Sequence, residues 1–257
     1  MARAPVLAAI TLPVLAYAAL CGWMYFRQRD FIYFPQATLS NASEADFVMA
    51  RDGVHLHGWV VNPGRPRALL YFGGNAERIE GNRDDFARWF PGHSVYFVAY
   101  RGYGASEGTP SEQALFADAL ALYDLIQVQH PGQPITVIGS SLGSGVASYL
   151  ASARPVARLA LVAPFDNLAN VAQTHYPLLP VRALLRERFD SAGHLAGFRG
   201  RVLVIRAGQD EVIPAASTAR LIAALPQAPQ VVVLPRASHN TIRDDPAFGA
   251  ALRDFVN

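Results

Sequence analysis

From about residue 47 the pattern of apolar and polar positions reads strand, loop, helix, repeated. Val54 and Leu56 alternate with His55 and His57, and Gly58-Trp59-Val60-Val61 carries that strand onward. Short, near-continuous apolar runs follow at 68–72, 95–100, 135–138, 159–163, 202–205 and 231–234. They are rich in Val, Ile and Tyr and bounded by Gly or Pro, which predicts strands covered on both faces, as in a parallel sheet. Helical periods lie between them at 111–129, 142–153, 214–225 and 246–255. Pro110 precedes Ser111, and Glu112 puts a carboxylate in the first turn, a favourable helix start. Strands alternating with helices predict βαβ units and an α/β fold: a mostly parallel central sheet flanked by helices.

A different pattern precedes this one. Residues 5–26 carry no charge. As a helix this run is about 33 Å long, enough to cross a hydrocarbon core of about 30 Å. Pro13 is tolerable in a membrane helix. Trp23, Tyr25 and Phe26 close the run where an interfacial aromatic belt sits, and Arg27 and Arg29 follow. A cleaved signal peptide is the alternative, since Ala16-Tyr17-Ala18 fits a small-residue cleavage pattern. A buried core helix is a third. The run continues eight residues past Ala18 and only Arg3 precedes it, which favours an uncleaved, single-pass anchor. The expected organisation is an N-terminal transmembrane helix over 1–26, a connector over 27–46 and one domain over 47–257. Arg3 and the amino terminus balance Arg27 and Arg29, so the positive-inside count assigns no side to the domain.

Composition narrows the picture. A chain of 257 residues fits one α/β domain. At 51% apolar residues it is not a disordered chain. Charged residues make up only 16%, against about 25% in soluble domains, so part of the chain is expected to avoid water. The lone Cys21 excludes a disulfide framework and a Cys-rich metal site, and bulky Leu20 before it argues against lipidation. All 22 basic residues are Arg, scattered at a net charge of +2, without the basic stripe of a nucleic-acid surface. His55 and His57 read as one solvated face of a strand rather than metal ligands, because no third His or carboxylate clusters with them. No metal and no nucleic-acid partner are expected, and the chain is read as a monomer.

The candidate chemistry starts at Gly139-Ser140-Ser141-Leu142-Gly143, which follows the run 135–138 and opens a helical period. This is G-x-S-x-G in strand–turn–helix context, a nucleophile elbow. Only Ser141 has Gly on both sides at a spacing of two; Ser140 has Ile138 at that place. The glycines make room where strand, turn and helix crowd together. The alternative is a tight βα turn without chemistry. A serine hydroxyl needs a base, and the base an orienting acid. Of His175, His194 and His239, only His239 follows a strand directly, where open α/β sheets bind ligands; the other two read as surface positions. The acid is placed at Asp210, just past the run 202–205, with Asp166 as competitor; Asp166 otherwise reads as a helix N-cap. Phe72-Gly73-Gly74-Asn75 leaves another strand end, where small residues let a backbone N–H approach a substrate carbonyl. The N–H groups of Asn75 and Leu142 are the candidate oxyanion donors.

Together with Tyr100-Arg101-Gly102-Tyr103-Gly104-Ala105-Ser106-Glu107-Gly108, Gly208-Gln209-Asp210 and Ser238-His239-Asn240, these stretches resemble the α/β-hydrolase superfamily over residues 47–255. They are most similar to its membrane-anchored, small-lid subgroup that includes acyl-protein thioesterase-like hydrolases. The resemblance implies a serine triad of Ser141, Asp210 and His239, hydrolysis of esters or thioesters through an acyl-enzyme, and no cofactor. A serine peptidase on the same fold, or a membrane-tethered interaction protein that has lost turnover, are the alternatives. Where the wider superfamily often has a His before the oxyanion glycine, this chain has Gly73. The superfamily's lid usually falls between the strands at 159–163 and 202–205, here about 166–200. So short a lid implies a shallow, open site for a small-molecule or lipid-acyl substrate. Leu168, Val171, Tyr176, Leu178, Leu179 and Val181 supply apolar surface for an acyl chain, or else pack the lid on the domain.

Overall fold

The computed structural model describes the backbone of residues 3–257 and the side chains of residues 11–257. Among the described residues the strands are β1 (Phe47–Arg51), β2 (Val54–Val61), β3 (Arg67–Phe72), β4 (His93–Val98), β5 (Ile135–Ser140), β6 (Val156–Val162), β7 (Arg201–Gln209) and β8 (Gln230–Ser238). The helices are α1 (Arg3–Ile32), α2 (Arg83–Trp89), α3 (Glu112–Gln129), α4 (Leu142–Ala153), α5 (Leu168–His175), α6 (Val181–Leu184), α7 (Ser191–Leu195), α8 (Ala215–Ala224) and α9 (Pro246–Val256).

The strands form one eight-stranded sheet in the order β1-β2-β4-β3-β5-β6-β7-β8. β1 and β2 run antiparallel to their neighbours, and β4 through β8 pair in parallel. Five of the six predicted apolar runs are buried on both faces, among them Ala68 to Phe72 and Val95 to Tyr100. The sixth, 231–234, lies in the edge strand β8 and exposes Val231 and Val233, because among the described residues no further strand covers that edge. α4 packs against β5, β6 and β3 and between α3 and α7, while α9 packs on α2 and the strands β6 to β8. Trp89 and Phe248 join α2 and α9 edge to face at 5.8 Å.

Several boundaries are sharper than the sequence implied. Ser111 caps α3, its hydroxyl accepting from the Ala114 N–H at 3.2 Å. β1 is a strand of its own, not anticipated, because its short, half-exposed sequence lacks a full apolar face. β7 and β8 run four residues beyond the apolar runs, past a register shift between Ala207 and Gln209. The segment between β6 and β7 folds as a small cap of α5, α6 and α7.

The stretch 27–46 is only partly a connector: α1 continues to Ile32, and Tyr33 is buried. The predicted anchor begins at Pro5, and the side chains of residues 5–10 lie outside the described set. Among the described residues, no helix is long and apolar enough to cross a membrane. α1 nevertheless exposes Leu12, Val14, Leu15, Leu20, Trp23 and Phe26, and its other side lies along the cap, where the Tyr17 hydroxyl donates to the Leu178 carbonyl at 2.7 Å.

Candidate active site

β5 passes into α4 through a single residue, Ser141, held at φ 49° and ψ −116°. A side chain rarely adopts this conformation, so surrounding structure must impose it. The Ser141 N–H donates to the Val162 carbonyl at 2.8 Å, and the Ser141 carbonyl accepts from the Ser144 N–H and hydroxyl at 2.9 and 2.6 Å. The flanking glycines are steric necessities. A Cβ on Gly143 would strike the carbonyl oxygens of Phe72 and Gly73, the latter at 2.5 Å. One on Gly139 would strike the Gly143 carbonyl and, at 2.7 Å, the Ala147 Cβ. The crowding brings β3, β5 and α4 together at one point.

The structure brings the three predicted polar residues into one chain. The Ser141 hydroxyl lies 3.0 Å from His239 Nε2. His239 Nδ1 lies 3.0 and 2.9 Å from the two Asp210 carboxylate oxygens. An Nδ1–H donated to Asp210 leaves Nε2 with a lone pair to accept the serine proton. The Asp210 carboxylate is itself fixed, accepting from the N–H groups of Val212 and Ile213 at 3.0 and 2.7 Å. Asp210 and His239 side chains are only 8% and 12% exposed, which strengthens the charge pairing that an imidazolium would make. Glu211 stands beside them, accepting from the His239 N–H at 3.4 Å.

Asp166 is not joined to this chain. It is 3% exposed and ion-paired to Arg220 at 2.6 Å, with further hydrogen bonds from Ser217 and Asn170. Burial works to raise its pKa, yet these donors outweigh burial and hold the carboxyl below its ordinary value. Nor does it cap α5: Asn167 does, accepting from the Ala169 N–H at 2.9 Å. His175 contacts the Val212 carbonyl at 2.8 Å, and His194 lies edge-on to Phe116 and Tyr149. His55 does have a carboxylate neighbour, contrary to the sequence expectation. Glu107 reaches it at 3.0 Å from a distant loop, though no third ligand joins among the described residues.

The oxyanion loop is built from further away than its sequence suggests. Gly74 lies so close to the nucleophile that an added Cβ would sit 3.5 Å from Ser141 Cβ. Its N–H is already taken by Glu77, which accepts at 2.5 Å and leaves the next N–H, that of Asn75, for a ligand. Leu142 contributes the first N–H of α4, where helix N–H groups lack internal partners. Glu77 also accepts from Tyr71, Asn82 and Arg243 at 2.8, 2.7 and 3.1 Å. The Tyr100 hydroxyl donates to the Gly73 carbonyl at 2.9 Å. Burial pushes the Tyr71 and Tyr100 phenols well up, so both remain donors at neutral pH. The Asn75 side chain turns the other way: Oδ1 accepts from the Tyr103 hydroxyl at 2.6 Å and the Phe34 N–H at 3.2 Å, and Nδ2 donates to the Ile32 carbonyl at 2.5 Å. None of Glu77, Arg243 or this side-chain role was read from the sequence. The Gly-rich loop marked the place, but the partners lie as far off as residue 243.

A base, an acid and two free N–H groups around a strained serine can activate the hydroxyl and stabilise a tetrahedral oxyanion. Known proteins are similar to this chain in sequence and in fold. A family model described as serine aminopeptidase, S33, matches residues 72–192. The Mycobacterium tuberculosis protein Rv2307c is 38% identical over 265 residues, covering 95% of this chain and 94% of that one. The zebrafish (Danio rerio) lysophosphatidylserine lipase ABHD12 is 34% identical over 141 residues, 48% of this chain and 37% of its own length. Among solved structures, a hydrolase from Pseudomonas aeruginosa superposes with a TM-score of 0.67 at 20% identity, covering 84% of this chain and all of its own. Sheet order, elbow and relatives agree, and the chain belongs to the α/β-hydrolase superfamily.

Proposed function

We propose that the protein is a serine hydrolase that cleaves carboxylic esters or thioesters of acyl substrates at a membrane. The observation that carries this reading is the unbroken Ser141–His239–Asp210 chain. In the proposed reaction the Ser141 oxygen attacks the acyl carbonyl as His239 Nε2 takes its proton. Asp210 holds the imidazole in the required tautomer and balances the imidazolium charge. The N–H groups of Asn75 and Leu142 take the oxyanion. Collapse breaks the bond to the leaving alkoxide or thiolate, which receives the proton from His239. Water then repeats the sequence on the acyl-enzyme and releases the acid. Membrane residence is supported by the uncharged run 5–26 and the exposed apolar side chains of α1. An acyl substrate is supported by the partial likeness to a lysophosphatidylserine lipase.

Labelling with a fluorophosphonate probe tests the nucleophile, because only an activated serine reacts. The wild-type chain is expected to label, and Ser141→Ala to fold, not label, and retain only the roughly 10³–10⁴-fold catalysis over water of binding and the oxyanion hole. Near-wild-type ester turnover by Ser141→Ala refutes the assignment. The family description favours one second reading, a peptidase. A higher kcat/KM on amino-acid p-nitroanilides than on p-nitrophenyl esters would select it.

A further inference from the structure

α1, from Tyr17 on, and the Tyr33 that follows it meet the cap along one side, and polar clasps hold the two together. The Gln28 amide nitrogen donates to the Tyr25 and Leu184 carbonyls at 2.7 and 3.5 Å, and its oxygen accepts from the Arg186 N–H at 2.7 Å. Arg29 lies 2.7 Å from the Glu187 carboxylate, which also accepts from the Tyr33 hydroxyl at 2.8 Å. Between the clasps is a cavity of about 100 Å³, walled by Cys21, Met24 and Ile32 of α1 and by Ala172, Leu179 and Leu184 of the cap. Gln28 is the one amide in its lining, and it is buried with both amide atoms engaged by backbone. The interior therefore offers mostly apolar and aromatic contact surface and no free amide, which favours an apolar guest.

The position of this slot matters as much as its lining. Ile32 is both a wall residue and, through its carbonyl, the acceptor of the Asn75 side chain. Asn75 follows Gly74, which abuts Ser141. The Ile32 end of the slot is thus one hydrogen bond from the side chain of Asn75, the residue whose N–H faces the candidate oxyanion position. Phe31 and Tyr176 also line it and are about half exposed, marking a mouth that opens toward the apolar outer face of α1. We infer that the slot is the acyl-chain subsite of the reaction proposed above, an inference that rests on that reading, and that the N-terminal helix supplies half its wall. The ligand class is a single slender aliphatic chain. At about 100 Å³ the slot is smaller than the ~150 Å³ cavity that accepts benzene, so it holds a few methylenes and passes the rest of a chain out through the mouth. Each methylene that enters raises kcat/KM about fourfold, the equivalent of its transfer from water.

The test uses the full-length chain in phosphatidylcholine nanodiscs, since removing α1 removes a wall. Ala172→Phe and Cys21→Phe fill the slot. Each is expected to lower the ratio of kcat/KM for p-nitrophenyl octanoate to that for the acetate fivefold or more; a smaller change overturns the inference. A second measurement needs neither turnover nor an overfilled variant. In Ser141→Ala, the one cysteine of the chain reports on the slot. Octanoate, but not acetate, is expected to slow alkylation of Cys21 by N-ethylmaleimide at least threefold. Absence of protection in a chain whose wild-type Ser141 labels with fluorophosphonate removes the slot and leaves the hydrolase standing. Protection in a chain that neither labels nor turns over esters leaves the slot and removes the hydrolase.

Discussion

Asp210 and Asp166 are both carboxylates just beyond the ends of neighbouring strands, and only their partners separate their roles. Asp210 faces His239 and two backbone N–H groups. Asp166 faces Arg220, Ser217 and Asn170. Asp210→Asn is expected to cut kcat about 10⁴-fold, because the amide stabilises the wrong imidazole tautomer. Asp166→Asn is expected to leave kcat within a few-fold and instead lower stability by about 1–3 kcal/mol, since hydrogen bonds to a buried charged group are weakened while half-exposed Arg220 stays solvated. Paired kinetics and urea midpoints decide between them, and a crippled kcat in Asp166→Asn would reverse the roles. The meeting of Ser141, His239 and Asp210 was legible in the sequence because each sits at a strand end in a fixed order. The partners of Asp166 were not, since Arg220 is 54 residues away and no local pattern joins them.

At the scale of elements, the elbow is where local and global demands coincide. Gly143 sits in the first turn of α4 against the backbone of β3, so no rotamer change can admit a methyl group there. Gly143→Ala is expected to destabilise by about 3 kcal/mol or more, or to prevent folding, since overpacking against fixed backbone exceeds the usual 1–3 kcal/mol. Gly197→Ala, with nothing within 4 Å of the added atom, is the control and should melt near wild type. Equal melting of the two variants would show that β3 and α4 can part. The helices with strong start signals were read nearly to the residue: α3 from its Ser111 cap and α4 from the elbow. β1 and the continuation of α1 were missed for a shared physical reason. Phe47–Arg51 becomes a strand by pairing with β2, and 27–32 stays helical through contacts with the cap and Asn75.

For the whole molecule, the two ends of the parallel strands are put to different uses. The carboxyl ends carry the candidate site. The amino ends hold His93, which is buried at the start of β4 opposite Arg67, with its Nδ1 unpartnered. Burial, then the positive charges of Arg67 and Arg158, push its pKa down to about 4. The unfolded chain takes up this proton near pH 6.5, so it binds more protons than the folded chain between those values. Stability from this group is therefore complete above pH 6.5 and is lost as pH falls toward 4, by about 3 kcal/mol in all. His93→Gln is expected to show a smaller drop in urea midpoint between pH 7 and pH 5 than wild type; parallel drops would place the acid sensitivity elsewhere.

The bond from Tyr17 to the carbonyl of Leu178 has a consequence for geometry normal to a lipid surface. Leu178 is 86% exposed, yet its backbone is pinned to the helix, so cap and helix rise and sink as one body. Tyr17 stands nine residues before Phe26, about 14 Å of helix axis. If α1 inserts to the end of its apolar run, as proposed above, the Leu178 turn is carried to that depth as well, and a substrate chain would reach the proposed slot from among lipid acyl chains rather than from water. The concentration that would then count is two-dimensional, molecules of substrate per unit area of leaflet, and dilution of the surrounding buffer would leave it unchanged.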